Sequence, residues 1–191
     1  MTIQIMARGP RRAEILIHDA IGEDFFGDGL TSKKFAQELS ALGKLDEITV
    51  SINSPGGAVF DGVAIYNALV AHPARVDVVI DGLAASIASV IAMAGDRITL
   101  RAGAMMMIHD PWTIALGNAD EMRDVADQLD RVARNIADIY AARTGQPVER
   151  VRELMRATSW FDGPAAVESG FADAHEGPTT DAEQHRAARR S

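Results

Sequence analysis

The chain has 191 residues, 47% of them hydrophobic and 24% charged, with a formal net charge of −8 and no cysteine. That is the make-up of one soluble globular domain with a substantial core. The negative charge leaves nucleic-acid binding without electrostatic support, and the lack of cysteine excludes disulfides, thiol catalysis and Cys-based zinc sites.

No apolar run reaches the ~18–20 residues that a membrane helix needs. The N-terminal MTIQIMARGPRR carries its charges after its apolar run, the reverse of a secretory signal. The expectation is a cytoplasmic protein with no cofactor, no metal, no membrane contact and no nucleic-acid partner.

Residues 1–13 read as a flexible leader. Glu14 to His18 is a short strand. Gly22 to Gly29 holds three Gly, three acidic residues and two Phe, so it reads as a loop with an apolar anchor. Thr31 or Ser32 caps a helix that carries Phe35, Leu39 and Leu42 on one face and stops at Gly43. Ile48 to Ile52 is a second strand, broken by Asn53-Ser54-Pro55-Gly56-Gly57. A helix follows, with Val59, Val63, Tyr66, Asn67 and Val70 about one turn apart, and ends before Pro73.

Val76 to Ile80 is a third strand. Ile98 to Leu100 and Met105 to Ile108 are two more. Asn118 opens the longest helix, with Glu121 in the capping-box position. Met122, Val125, Leu129, Val132, Ile136 and Ile139 then form an apolar stripe, and Gly145 ends the helix. Val148 to Met155 is helical, Ser159 to Pro164 a turn, and Ala165 to Gly170 a short helix. Residues 174–191 read as a disordered polar tail. The alternation of strands and helices predicts an α/β fold.

Three stretches carry chemistry. In Gly82-Leu83-Ala84-Ala85-Ser86-Ile87 a strand ends at Asp81-Gly82, and a helix begins near Ala85 and runs to about Ala94. Ser86 then stands at a helix N-terminus, where free N–H groups and the helix dipole favour negative charge. A hydroxyl there is placed to attack a carbonyl and leave the oxyanion beside those groups. Ser89, one turn later, is the control, expected to be buried inside the helix.

The second stretch is Ser54-Pro55-Gly56-Gly57. Paired glycines after a strand allow φ > 0 and close backbone approach, so a Gly N–H can serve as an oxyanion donor beside that of Ile87. The third is His109, which follows an apolar strand and can accept a proton from a serine. His18, His72, His175 and His185 lie in less suggestive settings.

Together these residues resemble the ClpP serine peptidases. The carriers are INSPGG at 52–57, GLAAS at 82–86, MIHDP at 107–111, RTGQ at 143–146 and AAVESGFAD at 165–173. The INSPGGAVFDGVAIYNAL block, the IHDPW run and the SWF turn look most like the phage branch, the ClpP-related head maturation (prohead) proteases.

The resemblance implies a ClpP/crotonase-like fold of stacked ββα units over residues 14–173, with a protruding handle helix. It implies Ser86 as nucleophile, His109 as general base, and Gly57 with Ile87 as oxyanion donors. It implies a homo-oligomer of stacked rings meeting through the 118–143 helix. The substrate is a protein or peptide, a capsid or scaffold protein on the phage reading, which would place the enzyme in the host cytoplasm or procapsid. On the alternative reading the chain is the proteolytic subunit of an ATP-dependent Clp protease, partnered by an unfoldase ATPase.

The sequence departs from the ClpP pattern in two places. The third catalytic position falls on Thr158, a neutral residue, with Asp110 or Asp162 as substitute acids. That departure motivates a further alternative, a catalytically weak or inactive ring-forming assembly subunit. The N-terminal segment also lacks the family's long loop for docking an unfoldase. Two related chemistries are disfavoured. A crotonase-like hydratase needs carboxylates in place of a Ser–His pair. A Ser–Lys peptidase needs a lysine near the site, and Lys33, Lys34 and Lys44 all lie early in the chain.

Overall fold

The computed structural model describes residues 3–9, 11–22 and 29–177. Its centre is a mixed sheet of eight strands. The strands β2 (Arg12–His18), β3 (Glu47–Ser54), β4 (Arg75–Ala85), β5 (Arg97–Leu100) and β8 (Ala174–His175) lie side by side and parallel. β1 (Ile3–Ala7) closes one edge antiparallel to β2. β6 (Met105–Ile108) pairs with the end of β4, and β7 (Ser159–Phe161) runs antiparallel on β6.

Alternation builds the core. Ile15 and Ile17, then Ile48, Val50 and Ile52, then Val76, Val78 and Ile80, then Ile98 and Leu100 all point inward and are buried. Each such side chain contributes ~1.5–3 kcal/mol by leaving water. The residues between them are mostly half-buried, as on a sheet covered more fully on one face.

Helix α1 (Ser32–Ala41), capped by Thr31, buries Phe35 and Leu39. It packs on α2 (Val59–Val70), which packs on the short α3 (Ile87–Ala92). The 26-residue α4 (Ala119–Thr144) carries the expected capping box of Asn118 and Glu121 and ends at Gly145. It packs against α5 (Val148–Arg156), and α6 (Gly163–Glu168) follows β7.

Several expectations are corrected. The leader is not loose throughout, because Ile3–Ala7 forms β1 and pairs along its length with β2. The tail begins later than residue 174, because Ala174 and His175 pair with Thr99 and Leu100 of β5. Residues 178–191 of that tail, and 23–28 of the expected loop, lie outside the described residues. The Ser159 to Pro164 turn contains a strand, since β6 offers Ser159–Phe161 an edge.

β4 does not stop at Asp81-Gly82 but runs to Ala85. Its first half pairs with β5 over Asp77–Ile80, and its last residues, Leu83–Ala85, pair with Met105–Met107 of β6. The strand continues because a new partner takes its edge where the old one leaves.

The α4 stripe also divides. Of its six apolar positions only Ile136 is buried, together with Ala133, Ala137 and Tyr140 beside it. Met122, Val125, Leu129, Val132 and Ile139 remain half-exposed.

Candidate active site

Because β4 keeps its pairing to Ala85, the chain must leave the sheet abruptly to enter α3. Ser86 makes that turn itself, at φ 56 and ψ −130. A non-glycine residue in such a conformation carries ~1–3 kcal/mol of strain, which the surroundings must hold. The Ser86 N–H donates to the Met107 carbonyl at 2.9 Å, and its carbonyl accepts from the Ser89 N–H at 3.0 Å. The side chain is thrown outward, and its Oγ meets His109 Nε2 at 2.7 Å. The same strand, β6, supplies the Met107 carbonyl that clamps the elbow and leads directly into His109.

The second strand-to-helix break lies against the first. Ser54, fully buried, donates its hydroxyl to the Asp19 carbonyl at 2.5 Å and accepts the Gly56 N–H at 3.1 Å. The Gly56 carbonyl accepts from Ile21 N–H, and the Ala58 N–H donates to the Ile21 carbonyl, each at 2.8 Å. Gly56 and Gly57 have φ 96 and 147. A Cβ on Gly56 would sit 2.7 Å from Ser86 Cβ, and one on Gly57 would sit 2.0 Å from the Ile21 carbonyl oxygen. Only bare backbone fits here.

These bonds engage the N–H groups of Gly56, Ala58 and Ser86 but not those of Gly57 and Ile87. Among the described residues, the Gly57 N–H has no acceptor. Neither has the Ile87 N–H, the first of α3, as the opening of a helix dictates.

His109 is half-buried. Burial holds its pKa below the ordinary value of 6.5, and the Asp110 charge pulls it partly back. The imidazole is therefore neutral at pH 7 and able to accept a proton. The acid limb of kcat/KM is expected to have its midpoint below 6.5, and Asp110→Asn to move it lower still by removing the charge that raises it. A limb centred above 6.5, or moved up by Asp110→Asn, would contradict this assignment; a pH–rate profile on a peptide substrate reads both.

The third position is open. Among the described residues the His109 ring bonds only to Ser86. Asp110 accepts from Arg152 Nη1 at 2.9 Å, and Arg152 also lies 3.6 Å from Asp130. Asp162 caps α6, accepting the Ala165 N–H at 2.9 Å. The β6–β7 pairing ends at Ile108 and Ser159, the residues just before His109 and just after Thr158. Thr158 is exposed, at φ 52, with its N–H on the Met155 carbonyl.

Ser89 is buried, as its place within the helix implies, and its hydroxyl reaches the Ser86 and Met107 carbonyls and Tyr140. The roles of Met107 and Tyr140 were not readable in advance. Tyr140 is 51 residues from Ser89, and a main-chain carbonyl leaves no trace in a sequence.

A serine hydroxyl on a neutral imidazole, beside two unengaged N–H groups at a strand-to-helix elbow, is the equipment of a serine hydrolase that works by acyl transfer. The comparisons with known proteins make this narrower. The Clp protease family profile matches residues 4–175. The chain is 36% identical over 152 residues to the ATP-dependent Clp protease proteolytic subunit 3 of Rhodococcus jostii, covering 76% of this chain and 75% of that one. It is 38% identical over 137 residues to proteolytic subunit 2 of Thermobifida fusca, covering 71% and 68%. A solved structure of a ClpP1 mutant from Listeria monocytogenes shares the fold, with a TM-score of 0.74 and 24% identity over 86% of this chain and 91% of that one. The chain belongs to the Clp protease family, and it is a serine-type endopeptidase.

Proposed function

We propose that this chain is the proteolytic subunit of an ATP-dependent Clp-type protease, with Ser86 as nucleophile and His109 as general base. The observation that carries these two roles is the 2.7 Å contact between Ser86 Oγ and His109 Nε2. Ser86 Oγ attacks the peptide carbonyl while its proton passes to His109 Nε2. The carbonyl oxygen becomes an oxyanion beside the N–H groups of Gly57 and Ile87. As the C–N bond breaks, His109 returns the proton to the leaving amine. Water, deprotonated by the same imidazole, then releases the acyl group from Ser86. The third position falls on Thr158, whose hydroxyl makes no bond to the His109 ring among the described residues and carries no charge to stabilise imidazolium.

The relatives named above favour this reading over a phage head maturation protease acting on capsid or scaffold protein. None of them is named as such a protease. Cytoplasmic location belongs to the same proposal. Among the described residues no helix is long and apolar enough to cross a membrane. The test is degradation of an unfolded protein with and without an AAA+ unfoldase and ATP. Processive degradation that requires both supports the proposal. Cleavage of a co-expressed scaffold protein, indifferent to ATP, would return the head-maturation reading.

Assembly into stacked rings through α4 is supported by apolar surface left without cover among the described residues. The stripe residues Met122, Val125 and Leu129 are half-exposed. The segment leading into α4 exposes Trp112, Ile114 and Leu116 at 72%, 84% and 96%. Such a surface is costly on a free subunit. Leu129→Asp is expected to shift the sedimentation profile toward smaller species, because a buried unpaired carboxylate is strongly disfavoured at an interface. An unchanged profile would contradict assembly through this face.

A further inference from the structure

Ser89 and Tyr140 form a buried polar pair that the acyl-transfer steps do not use. Ser89 is fully buried and Tyr140 is 1% exposed. Their hydroxyl oxygens are 2.7 Å apart. Ser89 Oγ also lies 2.6 Å from the Ser86 carbonyl oxygen and 3.2 Å from that of Met107. Carbonyls can only accept, and Ser89 has one hydroxyl proton. The Ser89 O–H therefore donates to the Ser86 carbonyl, and the Tyr140 O–H donates to Ser89 Oγ. Burial pushes the Tyr140 pKa above its ordinary range, so it remains a donor.

This chain of donors ends on the backbone of a strained residue. At Ser86, φ 56 puts the carbonyl where a relaxed helix entry would not. Its N–H is fixed by Met107, and its carbonyl by Ser89 twice, through N–H and Oγ. Packing alone does not require these hydroxyls. The surrounding α3 residues are Ala, Val and Ile, and the Tyr140 ring rests edge-on against Phe171 at 5.6 Å, a contact that Phe would keep.

Resting on Ser86 as the nucleophile, we propose that Ser89 and Tyr140 are positioning residues. They hold the Ser86 elbow in its positive-φ conformation and so aim Oγ at His109 Nε2. Because Tyr140 belongs to α4, the aim of the nucleophile is tied to the long helix.

The test is the rate of covalent inactivation of the full chain by a fluorophosphonate, with peptide-hydrolysis kinetics alongside. The proteins are wild type, Ser86→Ala, Tyr140→Phe, Ser89→Ala and the double variant. Tyr140→Phe and Ser89→Ala should each slow inactivation about tenfold or more, the cost of a small misplacement of a reacting atom. kcat should fall in step with KM unchanged. The double variant should be no slower than the slower single one, because the two hydroxyls act as one chain. A merely structural pair would lower the melting temperature and leave the folded enzyme's rates unchanged. Wild-type rates in folded Tyr140→Phe would overturn the proposal. Tyr140→Phe keeps the ring packing and decides alone if Ser89→Ala does not fold. Failure of the underlying reading looks different: wild type would then show no labelling that Ser86→Ala removes, and the proposal would fall with it.

Discussion

Ser86→Ala is expected to abolish peptide hydrolysis, with kcat lower by a factor on the order of 10⁴–10⁶. The size follows from what the substitution removes. The two free N–H groups of Gly57 and Ile87 survive it, and so does the imidazole, but no atom remains to form the acyl-enzyme. The fold should be unaffected. Ser86 Oγ is bonded only to His109 among the described residues, while its backbone is held by Met107 and Ser89. Ala at this strained turn is no worse than Ser, so the melting temperature should stay close to wild type. Residual hydrolysis at a tenth of wild type or more would remove Ser86 from the reaction.

Thr158→Asp is expected to act in the opposite direction, raising kcat about tenfold or more. A carboxylate behind a catalytic histidine holds the tautomer and stabilises the imidazolium that forms during attack. Losing that charge in a serine protease costs ~10⁴. Here the β6–β7 pairing ends on Ile108 and Ser159, next to His109 and Thr158, and neither Asp110 nor Asp162 bonds to the ring. The backbone also suits the change. At φ 52 a β-branched residue is strained, whereas Asp tolerates the left-handed region. A carboxylate at 158 should also raise the His109 pKa and so move the acid limb of kcat/KM upward. Unchanged kcat with an unmoved limb would mean that position 158 has no part in the reaction. In that case the low-activity assembly subunit suggested by the neutral residue would have to be weighed against measured turnover in wild type.

What could be read in advance was local. Strand-to-helix breaks at Asn53–Gly57 and near Ser86 announce themselves by glycine, proline and a change of periodicity. His109 stands at the end of an apolar run, and the α4 cap is written in Asn118 and Glu121. What could not be read depends on partners distant in the chain. β4 continues to Ala85 because β6 replaces β5 at its edge. Ile3–Ala7 and Ala174–His175 are strands only because β2 and β5 accept them. The same holds inside the site. Asp110 looks available to His109 until Arg152, 42 residues away, is seen to hold it. The Tyr140 hydroxyl means nothing until the fold sets it on Ser89. Local propensity sets the elements, and long-range pairing sets their ends and the commitments of their polar groups.

The central claim is that Ser86 forms the covalent bond to substrate. Wild-type protein treated with a fluorophosphonate, digested with trypsin and sequenced by tandem mass spectrometry tests it directly. Cleavage after Arg75 and Arg97 yields a peptide whose only serines are Ser86 and Ser89. The account predicts a single adduct on Ser86. An adduct on Ser89, on a serine elsewhere in the chain, or on none would contradict it.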